Sequence, residues 1–133
     1  MDDTNPAADD GPDDAPVLFA HGARDPNWAR PFHAIRERLR ARLPGRRVEL
    51  AFLELMTPSL DEAIDALAAD GARRVRVLPL FLGAGGHVRR DLPLLIDGAR
   101  NRHPALRVEA TAPIGEHDAV LDAISGACAG LVR

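Results

Sequence analysis

The residues best suited to chemistry in this 133-residue chain are His21, His87 and Glu54. Each histidine adjoins a glycine, in His21-Gly22 and Gly86-His87, and each follows an apolar run. Glu54 ends another largely apolar segment, Val48 to Leu53, whose one polar residue is Glu49. Imidazole and carboxylate are ordinary ligands for cobalt, iron, nickel or zinc. A neutral imidazole also accepts a proton near neutral pH, so the same groups suit general-base work. Each has a plainer reading. A histidine after a strand is commonly a hydrogen-bonded loop residue, and Glu54 could equally cap a helix or pair with an arginine. His33 falls inside an amphipathic helix, His103 precedes a proline and His117 precedes the last helix, so these three read as surface or boundary residues.

Two imidazoles and a carboxylate act together only if the fold brings them to one place. Val17-Leu18-Phe19-Ala20 reads as a buried strand ending at His21, and Val48 to Leu53 as a second ending at Glu54. Val75 to Leu82 is a third, running into the loop Gly83 to His87; Pro79 implies that its pairing loosens toward the end. Leu106 to Ala112 alternates more and reads as an edge strand. Between the strands, Trp28, Phe32, Ile35, Leu39 and Leu43 recur at helical spacing, with Pro31 in the first turn and Pro44-Gly45 as the stop. Thr57 is the expected N-cap of a second helix, with Pro58 at its first position, Leu60, Ile64 and Leu67 as its stripe and Gly71 closing it. Leu92, Leu95, Ile96 and Ala99 stripe a third, with Asp91 and Pro93 near its start. Val120, Ile124, Ala127, Cys128 and Leu131 stripe a fourth, which makes Cys128 a core-packing residue.

Apolar strands without alternation are buried on both faces and need helices on both sides. The fold class is therefore α/β: a doubly wound, flavodoxin-like domain with a four-stranded parallel sheet in the order 2-1-3-4. Ligands in such sheets bind beyond the carboxyl ends of the strands, at the switch point. In this order the ends carrying His21, Glu54 and His87 are neighbours, so the three groups are expected to converge over one crevice.

Composition bounds the rest. Residues 1–16 hold six aspartates and no basic residue, and read as a disordered acidic tail before a single domain over 17–133. Without that tail, 17 arginines face 14 acids, and lysine is absent. Arginine suits bidentate binding of carboxylate or phosphate, although a GC-rich genome gives the same bias. One cysteine excludes an internal disulfide and a cysteine-rich zinc site. No apolar run is long enough to span a membrane and the start of the chain is no secretory signal, so a cytoplasmic protein is expected, with no membrane partner. The dispersed arginines and the lack of a motif argue against nucleic acid. Gly83 to Gly86 is neither a P-loop nor a dinucleotide fingerprint. It either lets the backbone approach a flat ligand or simply connects strand to helix, and Arg89 and Arg90 after it are rim cations or a solvated helix start. A hydrolase would need Gly-x-Ser-x-Gly. A histidine phosphatase would carry arginine where Ala20 stands, and a phosphoacceptor domain an aspartate at the end of the first or third strand.

The segments VLFAHGARDP (17–26), AFLELMTPSLDEAIDAL (51–67), VLPLFLGAGGHVRRDLP (77–93) and APIGEH (112–117) resemble the class II tetrapyrrole metal chelatases. They are most similar to the short, single-domain sirohydrochlorin cobaltochelatase and ferrochelatase type. The resemblance runs in register from Val17 to about the C-terminus, and FL-x-x-GGH-x-x-x-D-x-P is its most specific part. It implies a chelatase-like fold and insertion of Co2+, Fe2+ or Ni2+ into sirohydrochlorin, for cobalamin or sirohaem, with neither ATP nor an organic cofactor. It implies that His21 and His87 handle the metal, that Glu54 assists, and that a one-lobed chain forms a homodimer. On that reading Leu55, Met56 and Phe81 would wall the ring, Gly85 and Gly86 would let it approach, and Arg24, Arg89 and Arg90 would pair with its carboxylates. Ala23 departs from the serine usual after His-Gly. The alternative is a non-catalytic carrier of metal or tetrapyrrole.

Overall fold

In the computed structural model, which describes residues 14–83 and 85–133, parallel strands alternate with helices along the chain. The order is β1 (Asp14–Ala20), α1 (Arg30–Arg42), β2 (Glu49–Phe52), α2 (Leu60–Ala69), β3 (Arg74–Pro79), α3 (Gly86–Arg102), β4 (Arg107–Ala110) and α4 (Asp118–Leu131), with 3₁₀ turns at Pro26–Ala29 and Ile114–Glu116. The sheet is four-stranded in the order β2-β1-β3-β4, as the crossover argument requires. β1 and β3 are internal, and β1 is buried along its whole length.

The apolar side chains of the strands divide between two cores. Val17, Phe19, Val75 and Val77 pack with Ile64 and Leu67 of α2 and Val88 and Ile96 of α3. On the opposite face Leu18, Ala20, Leu50 and Phe52 pack with Ala29 and the partly buried Trp28, Phe32 and Leu39. Each fully buried aliphatic or aromatic side chain of this size contributes about 1.5–3 kcal/mol. Trp28 and Phe32 stack at 4.6 Å between centroids. Two arginines tie helices to the strands that follow them. Arg40 donates to the Val48 carbonyl at 3.2 and 3.0 Å, and Arg100 to the Val108 carbonyl at 3.0 and 2.8 Å.

The structure departs from the sequence reading in four places. β1 starts at Asp14, three residues before Val17, because Asp14, Ala15 and Pro16 pair with Arg74, Val75 and Arg76 of β3. The rest of the expected acidic tail lies outside the described residues. The N-cap of α2 is Ser59, not Thr57, and Pro58 precedes the helix. Ser59 Oγ accepts from the Glu62 amide at 3.1 Å and Glu62 Oε1 from the Ser59 amide at 2.8 Å, a reciprocal cap that Thr57 could not form at this spacing. α3 begins at Gly86, so His87 is helical and Pro93 lies inside the helix. α4 forms as expected but buries no residue, and Cys128 is exposed and free rather than packed in a core. Helical periodicity specifies a stripe; it does not specify what the stripe packs on. No helix among the described residues is long and apolar enough to cross a membrane.

Candidate functional site

The site is built on the carboxyl end of the β1–β2 pair. Hydrogen bonding continues past the last paired residues: the Leu53 amide donates to the Ala20 carbonyl at 2.9 Å and the Glu54 amide to the His21 carbonyl at 3.1 Å. This extension sets the two side chains alongside, with His21 Nε2 3.3 Å from Glu54 Oε2. Both are about half exposed, at 44% and 46%. Gly22 makes the approach possible. Its φ is +97°, and a Cβ there would lie 1.8 Å from the Glu54 carbonyl oxygen, so no other residue fits. Leu55, next along the second strand's exit, is itself in the left-handed region at φ 66°.

Beneath His21 lies Phe81, which meets the imidazole edge-on with centroids 6.4 Å apart and meets Phe19 the same way at 5.9 Å. Phe81 is only 8% exposed, so it backs the histidine from the core rather than standing free in the crevice. The Ile114–Glu116 turn clamps it: the Gly115 amide donates to the Phe81 carbonyl at 2.9 Å. A Cβ at Gly115 would meet the Leu82 carbonyl oxygen at 1.9 Å. The sequence signal for this clamp was the glycine in APIGEH.

His87 occupies the second position of α3 and pairs with Asp91, Nε2 to Oδ2, at 3.2 Å. It does not join His21 and Glu54: among the described residues no group of three or more His, Cys, Asp or Glu side chains is placed to hold a metal ion. The expected three-way convergence is thus two separate histidine–carboxylate pairs. The cause is the early start of α3, which puts His87 over the next helical turn, where Asp91 stands four residues on. That four-residue spacing was visible in the sequence, but it signifies contact only on a helix.

The remaining candidates are distributed around these pairs. Gly85 caps α3 in extended backbone and Gly86 is its first residue, while Arg89 and Arg90 are exposed in its first turns. Arg89 lines a cavity of about 380 Å³ with Phe81, Val88 and Leu92. Arg24, Leu55 and Met56 line a second, of about 350 Å³. His33, exposed as expected of a surface residue, also lines that second cavity.

The sequence pattern of CbiX matches residues 15–129. The chain belongs to the CbiX family. Sirohydrochlorin ferrochelatase of Priestia megaterium is 30% identical over 109 residues, which cover 82% of this chain and 41% of that protein. Sirohydrochlorin cobaltochelatase of Sulfolobus acidocaldarius is 31% identical over 106 residues, covering 80% of this chain and 82% of that protein. A crystal structure from Marinobacter aquaeolei VT8, assigned to cobalamin (vitamin B12) biosynthesis as CbiX, superimposes with a TM-score of 0.81 at 28% identity, covering 90% of this chain and 97% of that one. The CbiX-family chain thus spans about two fifths of the length of the Priestia relative and most of the length of the other two. The resemblance to class II chelatases and the chelatase-like fold expected from it are borne out.

Proposed function

We propose that this CbiX-family protein inserts a divalent metal, Co2+ or Fe2+ with Ni2+ as a third candidate, into sirohydrochlorin. The observation that carries the reading is the His21–Glu54 pair, half exposed at the carboxyl end of the sheet and fixed by backbone on both sides. The ring loses two inner N–H protons as one M²⁺ enters, so the site must both present a metal and receive protons. Glu54 accepts from Nε2–H of His21, which directs Nδ1 toward the metal or a pyrrole proton. A protonated imidazole is then held by the adjacent carboxylate. His87 with Asp91 repeats the arrangement as a second presenting group. A pair of ligands, unlike a closed four-ligand site, binds loosely enough to release the ion.

The surroundings support the same reading. Leu55 and Met56 offer an apolar surface, and Arg24, Arg89 and Arg90 offer cations to the carboxylates of the rim. A Cβ at Gly85 would meet nothing within 4 Å, so packing within the chain does not require glycine there, whereas a flat ring lying close to the backbone would. Phe81 holds His21 from below.

We also infer that two copies pair through α4. Leu121, Ile124 and Leu131 are 49%, 42% and 83% exposed, an apolar stripe that a second copy would cover. A cavity of about 420 Å³ at the root of the helix, lined in part by Leu78, Pro113 and Ile114, is the matching apolar recess. Pairing of two one-lobed chains would supply the bulk of a longer relative.

The test mixes purified protein with sirohydrochlorin and Co2+ or Fe2+ under anaerobic conditions and follows the visible spectrum. The parent inserts metal, and His21→Ala is expected to slow it by about a hundredfold. Equal rates for the parent and a His21→Ala/His87→Ala double variant would overturn the mechanism. Tight binding of tetrapyrrole without turnover would show a carrier instead.

A further inference from the structure

Beside the histidine–carboxylate pair lies the hollow of about 350 Å³ that Arg24, His33 and Thr57 share with the apolar Phe52, Leu55 and Met56. We propose that it seats one carboxylate arm from the rim of the tetrapyrrole, and that His33, with Arg24, determines specificity for that arm; this rests on the chelatase reading.

Three observations lead there. The polar lining of the hollow is Arg24, His33 and Thr57, all able to donate hydrogen bonds, and no acid is among the residues that line it. Among the described residues neither Arg24 nor His33 is engaged in an ion pair with a carboxylate, so their donors are available to an incoming one. A small recess that sets convergent donors against an apolar wall, here Phe52, Leu55 and Met56, is the form that fixes the orientation of a carboxylate on a short apolar stem. Second, two residues that line the hollow are near neighbours, along the chain, of the histidine–carboxylate pair. Ala23 lies two residues after His21, and Leu55 directly follows Glu54. A flat ring centred over His21 would therefore extend its rim across the mouth. The volume is too small for the whole macrocycle and ample for an acetate or propionate arm. Third, Leu55 stands at the mouth with φ 66° and a side chain 56% exposed. A leucine in left-handed backbone costs about 1–2 kcal/mol, and it is held here with its apolar side chain in solvent. A ring lying over the mouth would cover it.

His33 was unremarkable in the sequence because an isolated histidine on an amphipathic helix reads as a solvent-facing residue. Its place follows from α1 starting at Arg30, directly after the 3₁₀ turn, which brings the fourth helical residue level with the β2 exit.

The experiment titrates metal-free sirohydrochlorin into the parent and into Arg24→Met, Arg24→Lys, His33→Leu and His33→Gln, reading the fluorescence of Trp28, the sole tryptophan. Trp28 adjoins Ala29 in the wall of the hollow. Arg24→Met and His33→Leu are expected to weaken binding about tenfold each, the worth of a charge-assisted hydrogen bond. The loss should fall on KM rather than kcat in the insertion assay. Arg24→Lys and His33→Gln keep a donor and should recover most of the affinity. A tetrapyrrole without peripheral carboxylates should bind all five proteins alike. Undiminished affinity of Arg24→Met and His33→Leu for sirohydrochlorin would overturn the proposal, as would equal losses against the carboxylate-free ring. The titration contains no metal, so a parent that binds the ring but inserts nothing refutes chelation while the result for the hollow still stands.

Discussion

Glu54 lies 3.3 Å from His21 because the β1–β2 hydrogen-bond ladder runs two residues beyond β2 and one beyond β1, not through any sequence proximity. The carboxylate is thereby placed by backbone, and its charge can be altered without moving it. Glu54→Gln keeps the shape and one acceptor but loses the charge that would hold a protonated imidazole. Metal insertion is expected to fall 10- to 100-fold, the usual effect of losing a partner behind a ligating histidine. Far-UV circular dichroism should be unchanged. A glutamine variant with parental rates at every pH would remove Glu54 from the mechanism.

Gly22→Ala should be the most damaging small substitution near the site. The residue has φ +97° and an alanine Cβ would overlap the Glu54 carbonyl oxygen, so both the dihedral and the contact oppose it. The left-handed conformation alone costs about 1–2 kcal/mol, and separating the two backbones adds overpacking strain of about 1–3 kcal/mol. Loss of at least about 2 kcal/mol is expected in urea unfolding, together with lower insertion activity, since Glu54 moves with its carbonyl. Alanine at Gly45 tests the contact: φ there is +85° but nothing lies within 4 Å of the new Cβ, so only the conformational part should be lost.

The acid limb of stability should carry the signature of Asp65 and Glu109. His103 Nε2 lies 2.7 Å from Asp65 Oδ1, and Arg102 adds contacts at 2.9 and 3.1 Å. The His103 hydrogen bond first, and then Arg102, hold the Asp65 carboxyl below its ordinary 3.8. Arg74 does the same for Glu109, below 4.5. A native pKa lowered in this way gives stability that is complete above the unfolded value and lost as pH falls through the native one. Both carboxylates are nearly half exposed, so solvent screening keeps each contribution under about 1 kcal/mol. The difference in urea midpoint between the parent and Asp65→Asn should therefore shrink as the pH falls from about 5 to below 3.8. A difference independent of pH over that range would exclude this charge contribution.

The sheet was legible because its determinants are local and binary. Val17 to Ala20 has no polar position, which marks it as a central strand, and the order β2-β1-β3-β4 agrees with the right-handed crossover rule. His21 and Glu54 were legible for the same reason, each being the first polar residue after a buried run. What escaped depends on backbone geometry that periodicity does not encode. His87 pairs with Asp91 because α3 starts at Gly86, and a run of glycines gives no signal for helix. Asp14 reads as tail by composition, yet it is buried in β1 and lies 3.3 Å from Arg76, a partner 62 residues away. The stripe of α4 was read correctly as a stripe and wrongly as core, since an apolar face is the same whether its partner is the chain's own sheet or another molecule.

That helix supplies the last prediction. Ile124 and Leu121 on α4 are 42% and 49% exposed, and an aspartate at an exposed helix position ordinarily changes the stability of a lone chain by no more than about 0.5 kcal/mol. In a homodimer joined through α4 the same substitutions bury a charge in an apolar interface without a partner, which is strongly unfavourable. Leu121→Asp/Ile124→Asp should therefore convert a dimer to a monomer in light scattering coupled to size exclusion, while each monomer keeps its circular dichroism spectrum and its unfolding midpoint at low concentration. The insertion rate separates two roles for the pairing. If the second copy closes the crevice over the ring, the monomeric variant loses activity in proportion to its dissociation, and high protein concentration restores it. If each crevice works alone, the monomer turns over at the parental rate. A parent that is already monomeric at high concentration would overturn the pairing through α4.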